Sequence, residues 1–180
     1  MGRVAAVVLA AGEASRFGAP KQLVLLPEVL ARLASSPVDE IVVVEGAHPL
    51  PSNSLLQDRS MRIVRCDEWE RGPGASLRCG LAALGDDVEA AIVVLADGPD
   101  LAPEAVARVI ESWRLGAGDN DVVAASYGDV RGHPLLVSRR VWDAVPDDGL
   151  RLCDPVLVPC DDLGAPGDVD RPEDIPERLR

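Results

Sequence analysis

Short apolar runs alternate along this chain with segments in which apolar residues recur every three or four positions. The first run, residues 4–9, is unbroken and rich in valine, which predicts a strand buried on both faces of a sheet. Runs of this kind predict strands at 4–9, 41–44 and 91–95, and weaker runs predict strands at 61–64 and 122–125. The intervening segments predict helices at 23–33, 75–84 and 103–115.

This alternation predicts an α/β fold with a mostly parallel sheet and helices on both of its faces. The 180 residues are the length of one domain, residues 1–180, and 47% of them are apolar, enough to bury a sizeable core. Because aromatic residues make up only 3%, we expect a core of valine, leucine, isoleucine and alanine. Such sheets bind ligands beyond the carboxyl ends of their strands, so residues that follow a predicted strand are the functional candidates.

The formal net charge of −12 argues against a nucleic-acid partner, since a surface that binds nucleic acid is normally basic. No run is long enough to cross a membrane, and the N-terminal run is too short for a signal peptide, so we expect a cytoplasmic protein without a membrane partner. The four cysteines, Cys66, Cys79, Cys153 and Cys160, show no metal-binding spacing. We therefore expect reduced thiols, with neither a zinc site nor a disulfide framework.

The loop after the first predicted strand combines small residues with two cations. It lies in residues 9–23, LAAGEASRFGAPKQL. Gly12 permits close approach of the backbone to a ligand, and Arg16 and Lys21 can pair with phosphate oxygens. The spacing matches neither the P-loop nor the dinucleotide-binding pattern. Two interpretations remain, a loop that binds a phosphate chain and a flexible turn with two solvated bases.

Aspartates supply further candidates in two places, after a predicted strand and in a loop near the C-terminus. Asp97 comes directly after the strand 91–95, where a carboxylate suits Mg²⁺ together with substrate phosphates. Asp100 fits better as a turn aspartate or as the N-cap of the helix that follows. Near the C-terminus, Asp168 is a second candidate for binding a metal or substrate, whereas Asp170 is placed to cap a short helix.

Two other segments carry polar groups at the ends of predicted elements. Residues 69–77, WERGPGASL, place a glycine-rich turn before a helix, so amides near Gly74 and the hydroxyl of Ser76 can bind an anion or a base edge. The alternative is an ordinary helix start capped by serine. His133 lies in a predicted Gly-His-Pro turn ahead of the apolar residues 135–137, although a lone histidine is more often structural.

Together these segments resemble the family of nucleotidyltransferases similar to molybdenum cofactor cytidylyltransferase. The resemblance covers most of the chain through LAAGEASRFGAPKQL, WERGPGASL, VVLADGPDL, RGHPLLV and DVDRPEDI, in the family's order. It implies a three-layer, Rossmann-like nucleotidyltransferase fold around a mostly parallel sheet, with Mg²⁺ as the cofactor. It also implies transfer of a nucleoside monophosphate from an NTP, with CTP favoured, to a phosphorylated acceptor such as molybdopterin, releasing pyrophosphate.

The resemblance also implies roles for residues at matching positions. The nucleotide-binding group is Leu9, Ala10, Ala11, Gly12, Arg16, Lys21, Gly74 and Ser76. The catalytic group is Arg16, Lys21, Asp97 and His133. The metal ligands are Asp97 and Asp168. In-line transfer to a phosphorus atom needs positioning and charge stabilisation, which these residues offer, and no protein nucleophile.

The sequence departs from the family pattern at two positions and in one segment. Ala14 stands where the family has serine, Gly98 stands where it has glutamine, and a Gly-x-Pro-Leu element after Lys21 is missing. Two alternatives therefore stay open: an enzyme acting on a sugar phosphate or other phosphometabolite, and a nucleotide-binding protein without turnover. The acidic chain with few aromatic residues shows no obvious large apolar patch, so we expect a monomer or weak dimer.

Overall fold

Seven strands and three α-helices account for most of the regular structure in residues 2–13, 22–51, 60–116, 120–164, 169 and 174–179, which the computed structural model describes. The strands are β1 (Arg3–Ala10), β2 (Ile41–Glu45), β3 (Met61–Arg65), β4 (Val88–Leu95), β5 (Val122–Tyr127), β6 (Val130–Ser138) and β7 (Val156–Pro159). The helices are α1 (Gln22–Ala34), α2 (Pro73–Ala82) and α3 (Pro103–Leu115). Short 3-10 helices cover Trp69–Arg71, Arg139–Ala144, Asp161–Leu163 and Glu177–Leu179.

All seven strands form one sheet, in the order β3-β2-β1-β4-β6-β5-β7. β1 pairs in parallel with β2 and β4, β2 with β3, and β5 with β7. β6 runs antiparallel to both of its neighbours, β4 and β5. The sheet is therefore mostly parallel, as predicted, and the chain order reverses between β1 and β4.

Helices cover both faces of the sheet, which explains why the central strands are apolar without alternation. Along β1, Ala6 and Val8 pack in the core with α1 and α3, whereas Ala5 and Val7 pack on the other face with α2 and the 3-10 helix Arg139–Ala144. The fold thus has three layers, with helices above and below the sheet. This confirms the predicted Rossmann-like α/β class.

β6 and β7 were not predicted, because the unbroken apolar run in each is short, covering residues 135–137 in β6 and 156–158 in β7. The first residues of β6 are exposed or half-buried, and only its later part, from Pro134 onward, is buried. β7 lies at the edge of the sheet, where Val156 and Leu157 are exposed. Within the described part of the chain, no helix is long and apolar enough to cross a membrane.

Asp100 lies in the turn after β4, which confirms one of its two predicted roles, whereas the other, a cap of the following helix, is wrong. The N-cap residue of α3 is Ala102, which makes no side-chain capping bond, and Pro103 occupies the first turn. Asp100 instead accepts a 2.5 Å hydrogen bond from Arg178, near the C-terminus. The aspartate therefore ties the turn after β4 to the C-terminal segment.

Cys66 and Cys79 form a disulfide, so the expectation of reduced thiols is wrong for this pair. Cys66 follows β3 and is fully buried, and Cys79 lies on α2, with 5.8 Å between the two Cα atoms. Packing of α2 over the sheet brings them together, which their spacing in the sequence does not reveal. Cys153 and Cys160 are free thiols, as expected.

Candidate active site

The loop after β1 and the turn after β4 leave the sheet side by side, where the strand order reverses. Leu9 and Leu95 are register partners, and the Ala96 N–H donates to the Leu9 carbonyl over 3.1 Å. Ala10 and Ala11 are buried at this point, and Gly12 is exposed. Open α/β sheets bind ligands in the crevice outside such a reversal point. Residues 9–12 therefore lie at the expected position of a ligand site.

The antiparallel direction of β6 brings its first residues to the same edge of the sheet. Val93 of β4 pairs with Leu135 of β6, and continuing this register places His133 level with Leu95. The prediction that His133 lies in a turn is wrong, because the Gly-His-Pro segment is part of β6. The strand nevertheless carries His133 to the end of β4, the strand that precedes Asp97 in the chain.

The imidazole of His133 is uncharged at physiological pH. Burial lowers its pKa to about 4, and the positive charge of Arg131 acts in the same direction, whereas the carboxylate of Asp97 opposes them. A neutral imidazole has one donor and one acceptor nitrogen. His133 can therefore hydrogen-bond a substrate at this edge without adding a charge to the site.

Asp97 lies partly buried in the turn directly after β4. Its backbone carbonyl accepts a 2.9 Å hydrogen bond from the N–H of Val169, and its negative charge acts on His133. Val169 is the residue that follows Asp168 in the chain. Asp168 itself lies outside the described residues, as do the predicted phosphate-binding cations Arg16 and Lys21.

The chemistry around Asp97 fits a Mg²⁺ ion that is bound mainly by its substrate. Among the described residues, no three histidine, cysteine, aspartate or glutamate side chains form a group that could hold a metal. Mg²⁺ is usually held by one or two carboxylates with substrate phosphates and water, and seldom by a complete protein cage. Asp97 supplies one carboxylate at the edge where the ligand is expected.

One wall of the site is formed by residues 145–153, called the 145–153 wall below. Its start is fixed by Asp147, which accepts hydrogen bonds from Arg78 (2.5 Å) and Arg71 (3.1 Å). These guanidiniums, Arg78 foremost, lower the pKa of the Asp147 carboxyl. Arg78 also donates to the carbonyl of Val145 over 2.5 Å. The start of α2 and this wall are therefore held together by charged hydrogen bonds.

Arg131 of β6 fixes the other end of the same wall. Its guanidinium donates to the backbone carbonyls of Leu150 over 2.6 Å and Cys153 over 3.1 Å. Both acceptors belong to a segment without regular secondary structure, so the arginine replaces the hydrogen bonds that a strand or helix would supply. The 145–153 wall is thus anchored on two sides.

Gly74 and Ser76 lie in the first turn of α2, and both are buried. The Gly74 N–H donates to the Asp147 carbonyl over 2.9 Å, and a Cβ atom at this position would overlap the carbonyl oxygen of Pro146. Packing against the 145–153 wall is therefore a structural reason for glycine at position 74. Ser76 lies in the same helical turn, directly before Leu77.

A cavity of about 390 Å³ opens between the strand ends, the start of α2 and the 145–153 wall. Its apolar lining includes Leu9, Leu77, Leu95 and Leu135, and His133 lies among them. Its charged lining residues are Arg131, Asp148 and Arg151. Volumes of this size are typical of pockets for small organic ligands.

Sequence reasoning found the strand ends and missed the 145–153 wall. Arg131 stands two residues before His133 in the segment RGHPLLV, and this proximity was the only local signal for it. Asp148 and Arg151 show no local signal, because they reach the cavity only through the folding of the wall against α2. Their contribution depends on contacts between residues far apart in the chain.

A Rossmann-like sheet with a carboxylate at its reversal point is an arrangement at which many nucleotide-binding proteins hold their ligands. Residues 6–150 match the MobA-like NTP transferase domain, and the chain therefore belongs to this nucleotidyltransferase family.

Two curated relatives agree with this family. The chain is 30% identical over 139 residues to the bifunctional protein GlmU of Gloeobacter violaceus, which covers 73% of this chain and 30% of the relative. It is 28% identical over 114 residues to a probable molybdenum cofactor guanylyltransferase of Geobacillus sp., covering 61% of this chain and 57% of the relative. The chain thus spans less than two thirds of the length of either relative.

Solved structures of similar proteins share the whole architecture. A homologue of Mycobacterium tuberculosis Rv0371c from Mycobacterium sp. strain JC1 is 26% identical, with a TM-score of 0.79, covering 98% of this chain and 95% of that one. Rv0371c of Mycobacterium tuberculosis H37Rv, solved in complex with manganese, is 23% identical with a TM-score of 0.74, covering 98% and 97% of the two chains. The second likeness concerns the fold alone.

Proposed function

We propose that this protein transfers a nucleoside monophosphate from a nucleoside triphosphate to a phosphorylated acceptor and releases pyrophosphate. The observation that carries the proposal is the meeting of three elements at one sheet edge: the loop after β1, Asp97 after β4, and His133 of β6. We favour CTP as the donor and molybdopterin as the acceptor, on the resemblance of the five sequence segments.

In this proposal the nucleotide lies over the loop after β1. Backbone groups of residues 9–12 contact it, Arg16 and Lys21 pair with its triphosphate, and Ser76 contacts the base. A chain with a net charge of −12 needs such local cations to accept a polyanion. Because the Gly74 N–H already donates to Asp147, we assign Gly74 the role of bringing α2 close to the site.

We assign Mg²⁺ to Asp97 and Asp168 together with the nucleotide phosphates. The bond from Val169 to the Asp97 carbonyl supports this pairing, because Asp168 is the neighbour of Val169 in the chain. When bound, the ion supplies electrostatic stabilisation of charge on the phosphates. The manganese complex of Rv0371c supports the use of a divalent cation on this fold.

The proposed reaction is an in-line substitution at the α-phosphorus. An oxygen of the acceptor phosphate forms a bond to the α-phosphorus while the bond to the bridging oxygen breaks and pyrophosphate leaves. The chain contributes positioning and charge stabilisation to this step. His133, as a neutral donor and acceptor, orients the acceptor beside the α-phosphate.

Two other outcomes have specific support. The relative described as a probable guanylyltransferase favours GTP as an alternative donor. The missing Gly-x-Pro-Leu element after Lys21 favours another phosphometabolite as acceptor, or nucleotide binding without turnover.

Pyrophosphate release with each of the four NTPs tests the proposal, with molybdopterin or a sugar phosphate as acceptor. We expect release with CTP and molybdopterin, dependent on a divalent cation. Release with GTP in place of CTP would identify GTP as the donor. Release with a sugar phosphate in place of molybdopterin would identify a sugar phosphate as the acceptor. NTP binding without release under any combination would contradict catalysis and favour a nucleotide-binding protein.

A further inference from the structure

The cavity beside His133 has apolar sides and a charged rim. Four leucines and one valine from the sheet and α2 line its interior: Leu9, Leu77, Val93, Leu95 and Leu135. These side chains favour an apolar body, such as a ring, over a purely ionic ligand. The charged residues of the lining decide which polar group that body carries.

Two of the polar lining residues do not offer a cation to a ligand. The guanidinium of Arg131 donates to the carbonyls of Leu150 and Cys153 and so holds the 145–153 wall. Withdrawing it would leave both carbonyls without these donors. His133 is uncharged at neutral pH. Arg151 is therefore the lining cation that is available to a ligand.

Arg151 is exposed at the rim, and in the described part of the chain its guanidinium makes no ion pair or hydrogen bond. Among the described arginines, Arg114, on the last turn of α3, also makes no ion pair or hydrogen bond. The remaining described arginines contact carboxylates or backbone carbonyls, as Arg71, Arg78 and Arg131 do. An unpaired guanidinium keeps its five N–H donors for an anion.

The backbone that carries Arg151 is held in place before any ligand arrives. Arg131 anchors the carbonyl of Leu150, the residue directly before Arg151, and Asp147 anchors the start of the wall to α2. Preorganised groups lose less conformational entropy when a ligand binds. A cation presented in this way at the mouth of an apolar cavity fits an organic anion.

We propose that Arg151 binds the phosphate of the acceptor and that the cavity holds the acceptor's apolar body. The ligand class is an organic phosphate monoester with a ring or other apolar group. Asp148 lines the same rim and disfavours ligands that carry additional negative charge there. That this phosphate belongs to the acceptor rests on the proposed function, whereas the existence of a phosphate site at Arg151 does not depend on it.

Calorimetric titration of the full chain with phenyl phosphate, in the presence of saturating CTP and Mg²⁺, tests this proposal. Inorganic phosphate and phenol serve as the two partial probes. We expect phenyl phosphate to bind more tightly than either, and Arg151→Gln to weaken it by at least about tenfold. Arg114→Gln is the matched control, because it removes an unpaired arginine far from the cavity, and it should leave the affinity unchanged.

Three results would overturn the proposal. They are unchanged phenyl phosphate affinity in Arg151→Gln, an equal loss in Arg114→Gln, and phenyl phosphate binding no more tightly than inorganic phosphate. A loss of CTP affinity in Arg151→Gln would assign the arginine to the nucleotide and would also overturn it. Phenyl phosphate binding that needs Arg151, in a protein that turns over no NTP, would support the phosphate site and contradict only the proposed reaction.

Discussion

The environment of His133 couples a candidate site residue to the stability of the whole chain. Its pKa is about 4 in the folded protein and near 6.5 in an unfolded chain. Between these two values the unfolded state binds a proton that the folded state does not. The free energy of unfolding therefore falls as the pH drops from about 6.5 toward 4.

We expect His133→Asn to remove this part of the pH dependence. Between pH 7.5 and pH 5 the wild type should lose about 2 kcal/mol more of its unfolding free energy than the variant, which has no imidazole to protonate. Urea unfolding of both proteins at the two pH values measures the difference. Carboxylates titrate in both proteins alike, so equal losses would show that His133 is not buried in its neutral form.

Asp97→Asn should abolish turnover while preserving the fold. The amide keeps the shape of the side chain and loses the charge that we assign to metal binding. We expect a loss of at least about a thousandfold in the rate of pyrophosphate release, with the thermal unfolding midpoint nearly unchanged. Asp100→Asn is the matched control, since Asp100 pairs with Arg178 in the same turn region. A wild-type rate and metal dependence in Asp97→Asn would remove Asp97 from the site.

At the scale of elements, the contact between α2 and the 145–153 wall depends on the absence of a side chain at position 74. A Cβ on Gly74 would overlap the carbonyl of Pro146, so Gly74→Ala should lower the unfolding free energy by about 1–3 kcal/mol. Gly12→Ala is the control, because nothing lies within 4 Å of its added methyl group, and it should stay within about 0.5 kcal/mol of wild type. Equal stabilities in urea unfolding would contradict this packing.

The Cys66–Cys79 disulfide links the end of β3 to α2 and encloses the turn ahead of that helix. Closing a loop of this length in the unfolded chain stabilises the fold by about 3 kcal/mol in the chain-entropy estimate. We expect the oxidised wild type to exceed Cys79→Ser by about that amount in urea, and a reductant to remove the difference. Cys153→Ser changes a free thiol and should leave the effect of the reductant intact. A wild type insensitive to reductant would contradict the bond.

At the scale of the whole molecule, association is limited by charge. The net charge of −12 repels a second copy, while exposed apolar side chains such as Leu152 and those of the edge strand β7 attract one. We expect a monomer of 19.0 kDa at low salt, with weak dimerisation as salt screens the repulsion. Light scattering at two salt concentrations measures this, and a tight tetramer at either one would contradict it.

The sequence by itself determined the features that depend on short stretches of chain. Unbroken apolar runs predicted β1, β2 and β4, because a strand buried on both faces needs no polar position, and weaker apolar runs predicted β3 and β5. Their carboxyl ends then located Asp97 and the loop after β1, since parallel strands end at one edge. The quoted segments also led to the nucleotidyltransferase family.

Only the tertiary structure decided the features that depend on contacts between distant residues. The direction of β6 carries His133 to the end of β4, and burial there makes its imidazole neutral. Arg78 and Arg131 hold the 145–153 wall over more than 18 residues of separation, and that wall brings Arg151 to the cavity. Such contacts leave no periodic signal, because each is formed by elements that meet only when the sheet has assembled.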